Sequence, residues 1–266
     1  MSTIAPLRTR TSAYGALVFM SLVSVLPLIW VWLTSLRNSQ DIAEDPLGLP
    51  WPPDFSSYTR AWTEARFGDY LLNSVIVAVG TVLLITVVAV PAAYALATLR
   101  LPFSTPVFVL FLVGLMIPIW SIVIPLFFQL RDLGLVNTRT GAILIEAALG
   151  LPFGIFLLRA FLREMPNELL EAARMDGAGH IKTMLYIVVP LARPALYTLF
   201  VFQFMWSWNE LVIPLFFLQD DAVRTLPIGL TFFQGRFTSD TAVLAAGTTM
   251  AALRVCNGNG VSGGFH

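Results

Sequence analysis

The 266-residue chain has a single cysteine, Cys256, two histidines, His180 and His266, and one lysine, Lys182. One cysteine excludes an intrachain disulfide and any cysteine-based metal cluster, and with so few histidines no metal-ligand spacing can be drawn. Lys182-Thr183 is the only lysine–hydroxyl pair, and Ile181 and Asp176 stand where a phosphate-cradling loop needs glycines. The chain therefore offers no ATP site of its own. Only 12% of residues are charged, and 16 basic residues balance 16 acidic ones, so there is no polybasic footprint for nucleic acid or an anionic lipid surface. No convergent nucleophile or acid–base constellation points to an enzyme. No internal repeat stands out, which argues against a secondary transporter built from inverted repeats.

What is abundant is apolar surface. With 57% hydrophobic residues and a strongly positive mean hydropathy, the chain lies outside the range of soluble domains. A helix needs about 20 apolar residues to cross the hydrocarbon core, because its backbone polar groups must be satisfied internally. Charge-free runs predict spans over Thr11–Leu36, Tyr70–Leu99, Leu101–Leu130, Thr140–Leu158, Pro194–Gln219 and Thr241–Leu253. The expected fold is all-α, a polytopic membrane helix bundle of about six spans. Arg8 and Arg10 precede the first span and no small-residue cleavage site follows it, so it reads as a retained anchor.

The last span is the irregular one. From Thr241 to Leu253 it reaches only about 20 Å at 1.5 Å per residue. Beyond it, Gly258, Gly260, Gly263 and Gly264 with Asn257 and Asn259 suit neither helix nor lipid. Residues 254–266 read either as a polar tail on a short helix or as a replaced end, and the second is the expectation. Residues 1–10 form an N-terminal segment and 11–253 the membrane domain. Arg37 to Asp69 reads as an ordered loop with aromatic anchors, and Asp220 to Asp240 as a further loop on the same side. Basic residues are nearly balanced between the two sides; those of the amino-terminal side cluster near span ends, which places the amino terminus in the cytoplasm.

A polar segment over about 160–190 interrupts this pattern. Pro166-Asn167 can start a helix, with Asn167 capping free amides and Glu168 at the positive end of the dipole. Glu171, Ala172, Ala173, Arg174 and Asp176 follow, and Gly177 sits where a left-handed residue would end the helix. The expected product is a two-turn helix with a small-residue face, which another protein could approach closely. A second helix from His180 should stop before Pro190, and Pro194 should open the fifth span.

Glu171-Ala172-Ala173, Gly177, and Ile187-Val188-Val189-Pro190 just before the penultimate span together resemble the signature loop of permease subunits of binding-protein-dependent ABC importers. Leu133-Gly134-Leu135, Asn137-Thr138, the Leu151–Arg159 run and Trp208-Asn209-Glu210 with Pro214 resemble the carbohydrate branch, specifically its six-span MalG-like subunit. Val189 replaces a usual leucine, and the end after Leu253 departs from the pattern. The resemblance implies a bacterial or archaeal cytoplasmic membrane protein that catalyses no reaction itself. It implies two copies of a cytoplasmic ATPase binding ATP and Mg, a second homologous permease, and an extracytoplasmic binding protein that delivers solute. Glu171, Ala172, Ala173, Arg174, Asp176, Gly177, Ile187 and Pro190 would form the ATPase-coupling loop.

Other polar residues inside apparent spans are few. A charge at membrane depth must face protein or water. Glu210, with Trp208 and Asn209, either lines the pathway or outer gate or is paired structurally near a helix end. Glu146, one turn from Gly141, reads as an interface residue. Asn73 and Gln203 either contact solute or hold helices together. Trp206 and Trp208 read as packing or interface anchors rather than sugar platforms, and the prolines within spans suit bent, mobile helices. The alternative class is an ion-coupled transporter or channel, for which two glutamates are a thin supply.

Overall fold

A computed structural model describes residues 7–64, 66–99, 101–236 and 240–258. The helices in chain order are α1 (Leu7–Ser35), α2 (Ser39–Glu44), α3 (Ser56–Thr63), α4 (Phe67–Thr98), α5 (Ser104–Gly114), α6 (Ile119–Asp132) and α7 (Arg139–Arg163). They continue with α8 (Asn167–Met175), α9 (His180–Thr183), a π-helical turn (Met184–Val188), α10 (Val189–Leu191), α11 (Arg193–Trp208), α12 (Val212–Phe217), α13 (Leu226–Arg236) and α14 (Thr241–Gly258). No strand occurs among the described residues, as expected for an all-α membrane bundle.

Three of these helices, α1, α4 and α7, are long and apolar enough to cross a membrane unaided. Two bent pairs bring the number to five if each is one span. The run read as one continuous third span is in fact α5 and α6, bent by 95° at Leu115–Pro118. Pro118 has extended backbone as the N-cap of α6, and a proline cannot donate to the turn before it. The fifth predicted span is likewise divided, into α11 and α12 around Asn209–Leu211. Helix α13 occupies part of the stretch expected to be loop. Helix α14 continues to Gly258, past Leu253; residues 259–266 of the predicted tail and the Arg100 turn lie outside the described residues.

The chain forms two compact units. In the first, residues 1–68 with 230–266, α14 packs on α1, α2 and α3. Ala61, Val243 and Ala246 form its small-residue core, against Tyr58 and Met250. Asp240 starts α14: its Oδ1 accepts from the Val243 amide at 3.3 Å and from Ser39 Oγ at 2.5 Å, while Oδ2 pairs with Arg60 Nη1 at 2.6 Å.

The second unit, residues 69–229, is organised by α4, α7 and α11. One cluster joins Ile85, Ala89, Ile155, Leu158 and Leu199 to Leu170 and Val188; a second joins Val77, Ile145, Ile213 and Phe217. Asn73 is buried and donates to the carbonyls of Ala222 at 3.0 Å and Arg224 at 2.9 Å, so it fastens a loop within the bundle.

Candidate coupling and translocation site

Helix α8 is short because its last turn closes on Gly177, whose φ of +73° is open to glycine at no steric cost. The Ala178 amide donates back to Ala173 O at 2.9 Å, the six-to-one bond of a Schellman cap. The two alanines of the signature do not share one free face. Ala172 is exposed, whereas Ala173 is 3% exposed and lies one turn from Leu170, which is in the chain's own core. The small-residue face is thus divided, because successive residues of a helix point about 100° apart. Glu171, Asp176 and Gly177 are exposed, as are the apolar Met175 and Ile181; the side chain of Arg174 lies outside the described residues.

The helix that begins at His180 does not stop before Pro190. It widens into a π turn over Met184–Val188, with the Val189 amide reaching Met184 O, and Pro190 falls in the first turn of α10. A proline has no amide to contribute, and the wider turn accommodates its ring without breaking the chain path. Ile187 is half-buried beside Val188, which packs in the core, while Tyr186 is 77% exposed. Helix α11 then leaves at 75° with Pro194 in its first turn. The polar segment is therefore joined to a long apolar helix through one bend.

Along α11 the candidate pathway residues separate by environment. Gln203 is buried; its Nε2 donates to Gly150 O on α7 at 3.0 Å, and its Oε1 has no donor. Trp208 is also buried and stacks on Phe204 with centroids 5.6 Å apart, which makes it a packing residue. Asn209 ends α11, its Nδ2 donating to Met205 O at 2.6 Å. Glu210 Oε1 accepts from the Val212 and Ile213 amides at 2.8 and 3.2 Å, satisfying the free start of α12. Trp208, Asn209 and Glu210 thus occupy the break between two half-helices, and the carboxylate there serves a helix end.

Glu146 is the interface residue the sequence suggested. It is buried on α7, and its Oε2 accepts from Thr81 Oγ1 of α4 at 3.2 Å and from Ser207 Oγ of α11. Thr81 and Ser207 carried no sequence signal, being hydroxyls in apolar runs. Beside this node is a cavity of about 280 Å³ lined by Leu149, Gly150, Phe153, Phe202, Gln203 and Trp206 with Leu115. At the far end of α7, Arg159 is also buried: its guanidinium lies over Phe108 at 3.8 Å and Nε donates to Leu96 O at 3.3 Å. No group of His, Cys, Asp and Glu suited to a metal occurs among the described residues.

The chain is similar to known proteins over most of its length. It is 35% identical over 226 residues to the diacetylchitobiose uptake system permease protein NgcG of Streptomyces coelicolor, covering 85% of this chain and 75% of that one. It is 33% identical to the melibiose/raffinose/stachyose import permease protein MelC of Bacillus subtilis, over 86% and 83% of the two chains. It is 32% identical to the trehalose transport system permease protein SugB of Mycobacterium tuberculosis, over 92% and 91%. Among solved structures, a chain of a bacterial ABC transporter involved in the import of the acidic polysaccharide alginate shares the fold. Its TM-score is 0.85 at 23% identity, over 98% of this chain and 97% of that one. Residues 85–256, which run from the middle of α4 into α14 and include the whole polar segment, match the profile of the binding-protein-dependent transport system inner membrane components, and the chain belongs to that family.

Proposed function

We infer that the chain is the sugar permease subunit of an ATP-driven importer, working with a second homologous permease, two copies of a cytoplasmic ATPase and an extracytoplasmic binding protein. The observation that carries this reading is the family match together with the sugars named for the relatives, which extend over most of the chain. In this reading α8 and the turn after it are the surface that receives the ATPase. Glu171, Ala172, Asp176 and Gly177 are exposed on that surface with Met175 and Ile181. Ala173 and Leu170 bind the same helix to the core, so a push on the exposed side is delivered to the bundle and, through the bend before Pro194, to α11. ATP and Mg are held by the ATPase. The amino terminus is cytoplasmic, and Asn209 and Glu210, at the break between α11 and α12, belong to the pathway or its gate, with Trp208 packed beside them.

An ion-coupled carrier would need a carboxylate at membrane depth free to load and unload. Glu146 Oε2 accepts from two hydroxyls and Glu210 Oε1 from two backbone amides, which ties each side chain to the bundle, and it is the family match that favours the importer over such a carrier. The test is reconstitution. The chain alone in liposomes is expected neither to accumulate trehalose, melibiose or diacetylchitobiose nor to hydrolyse ATP. With the companion permease, ATPase and binding protein it is expected to do both. Uptake by the isolated chain overturns the reading.

A further inference from the structure

We propose that Arg159 and Arg163, at the end of α7 beside Phe108 of α5 and Leu96 of α4, form a site for the phosphate ester of an anionic phospholipid headgroup. The proposal rests on the permease reading for one point only, that this end of α7 is cytoplasmic.

The first observation is a cation without a counter-charge. Arg159 is 5% exposed on a helix long and apolar enough to cross a membrane, and a charge so placed needs a partner. Its guanidinium lies over the Phe108 ring at 3.8 Å, and Nε donates to Leu96 O at 3.3 Å, in the last turn of α4. The cation–π contact offsets part of the cost of burial, and the bond to Leu96 clamps a helix end that welcomes positive charge. Neither contact uses the terminal fork. Both Nη nitrogens lack an acceptor in the chain, yet they remain accessible from outside it. Among the described residues Arg159 forms no ion pair.

The second observation is that the next basic residue compounds the deficit. Arg163 lies four residues on, which puts it on the same face of α7, and it too has no carboxylate partner among the described residues. Two like charges on one face repel, so an anion seated between them relieves both. A phosphate ester matches the planar fork of arginine with two parallel acceptors. The third observation selects a lipid as its source. Phe108 stacks with Phe156 of α7, which is exposed, and Leu110 of α5 is exposed as well, so an apolar surface adjoins the cation. A free phosphate has no use for that surface, whereas acyl chains do. Arg163 ends α7 and the polar α8 begins at Asn167, which sets the two guanidinium groups at headgroup depth, where basic recesses between helices take anionic lipids.

The experiment uses the assembled transporter, purified in detergent and stripped of lipid. Its thermal unfolding midpoint is followed during titration with short-chain phosphatidylglycerol, with short-chain phosphatidylcholine and with inorganic phosphate. A saturable rise is expected with phosphatidylglycerol, because a ligand of the folded state raises the midpoint, and little with the other two. Arg159→Gln should raise the half-saturating concentration more than about tenfold, the scale of a lost charge-assisted hydrogen bond. Arg163→Gln, at an exposed position with no bond to break, should raise it about fivefold, the share of one basic residue near an anionic headgroup.

A purely structural role for Arg159 would lower the starting midpoint and leave the half-saturating concentration alone; that result overturns the site. An unchanged concentration in Arg163→Gln overturns it even if Arg159→Gln fails to assemble. An equal rise with inorganic phosphate assigns the fork to a free anion, and no rise with phosphatidylglycerol assigns it to an acidic residue of a neighbouring subunit; either result overturns the lipid site. Sugar uptake by the same assembly with its binding protein keeps the two readings apart. Uptake without any arginine-dependent lipid effect leaves the permease standing and removes the site, whereas an arginine-dependent lipid effect without uptake supports the site and counts against the sugar permease.

Discussion

Glu146 on α7 faces Ser207 on α11, and the serine hydroxyl donates to the carboxyl oxygen Oε2 that also accepts from Thr81 on α4. One turn along, Gly150 faces Gln203 and Ile85; a turn further, Gly154 faces Leu199 and Ala89. The three helices are therefore in register through successive layers, with α4 running parallel to α7 and α11 antiparallel to it. Only the first two layers are polar, which fixes the register where apolar packing alone would permit sliding.

Replacing Glu146 tests that polar layer. Glu146→Gln keeps an acceptor for both hydroxyls and should leave the thermal unfolding midpoint of the assembled transporter nearly unchanged. Glu146→Leu leaves Thr81 and Ser207 without their acceptor at a buried position. The cost should be about 1–3 kcal/mol, the usual penalty for stranding buried polar groups. Equal stability of the two variants would mean that the layer contributes no register.

The glycines of the next layer are explained by space rather than by backbone freedom. A Cβ on Gly150 would stand 2.6 Å from Ile85 Cδ1, whereas one on Gly15 of α1 meets nothing within 4 Å. Gly150→Ala should therefore destabilise by about 1–3 kcal/mol through overpacking, while Gly15→Ala should be neutral or stabilising. Thermal unfolding of the two variants side by side measures the difference, and a stabilising Gly150→Ala would contradict the packing described.

How far the sequence disclosed this arrangement depends on what kind of signal each feature leaves. Helices α1, α4 and α7 were legible because charges such as Arg37, Asp69, Arg139 and Arg159 punctuate long apolar runs. The 95° bend between α5 and α6 was not: Leu115, Met116, Ile117 and Pro118 are all apolar, and a charge-free run continues across them. The end of α8 at Gly177 follows from residue type. The division of Ala172 from Ala173 does not, because it depends on where the rest of the chain supplies a core for Leu170. Asn73 and Glu146 declared themselves as polar residues in apolar spans, but Thr81 and Ser207 became meaningful only when folding brought them to one carboxylate.

Gly177 offers a test of coupling that leaves the bundle alone. Its φ is +73° and a Cβ there would meet nothing within 4 Å, so the cost of a side chain is conformational rather than steric. A β-branched residue in the left-handed region costs about 1–3 kcal/mol and should shift the turn after α8. In Gly177→Val, membrane insertion and assembly should persist while uptake per ATP hydrolysed falls. The ratio of solute accumulated to phosphate released in proteoliposomes is the measurement, and an unchanged ratio would remove the turn from the coupling path.

The start of α14 should carry a pH-dependent share of stability. Burial pushes the Asp240 carboxyl up, but the Ser39 hydroxyl, the Val243 amide and Arg60 together outweigh it, and it sits below the ordinary value of 3.8. The hydrogen bond that Arg60 donates to Asp240, opposed by a little desolvation, raises Arg60 in turn. A carboxyl held below its unfolded value stabilises the fold fully above that unfolded value, and the contribution disappears as pH falls through the folded one. Arg60 stays charged throughout this window, so the dependence belongs to Asp240. Asp240→Asn keeps the capping oxygen and removes only the charge, so it should cost up to about 1 kcal/mol at neutral pH, the scale of a partly exposed ion pair. The gap between wild-type and Asp240→Asn unfolding midpoints should then close as the pH is lowered from 7 to below 3.8, because protonated aspartate and asparagine make similar bonds to Ser39 and Val243. A gap that stays constant over this range would assign the role of Asp240 to geometry alone and not to its charge.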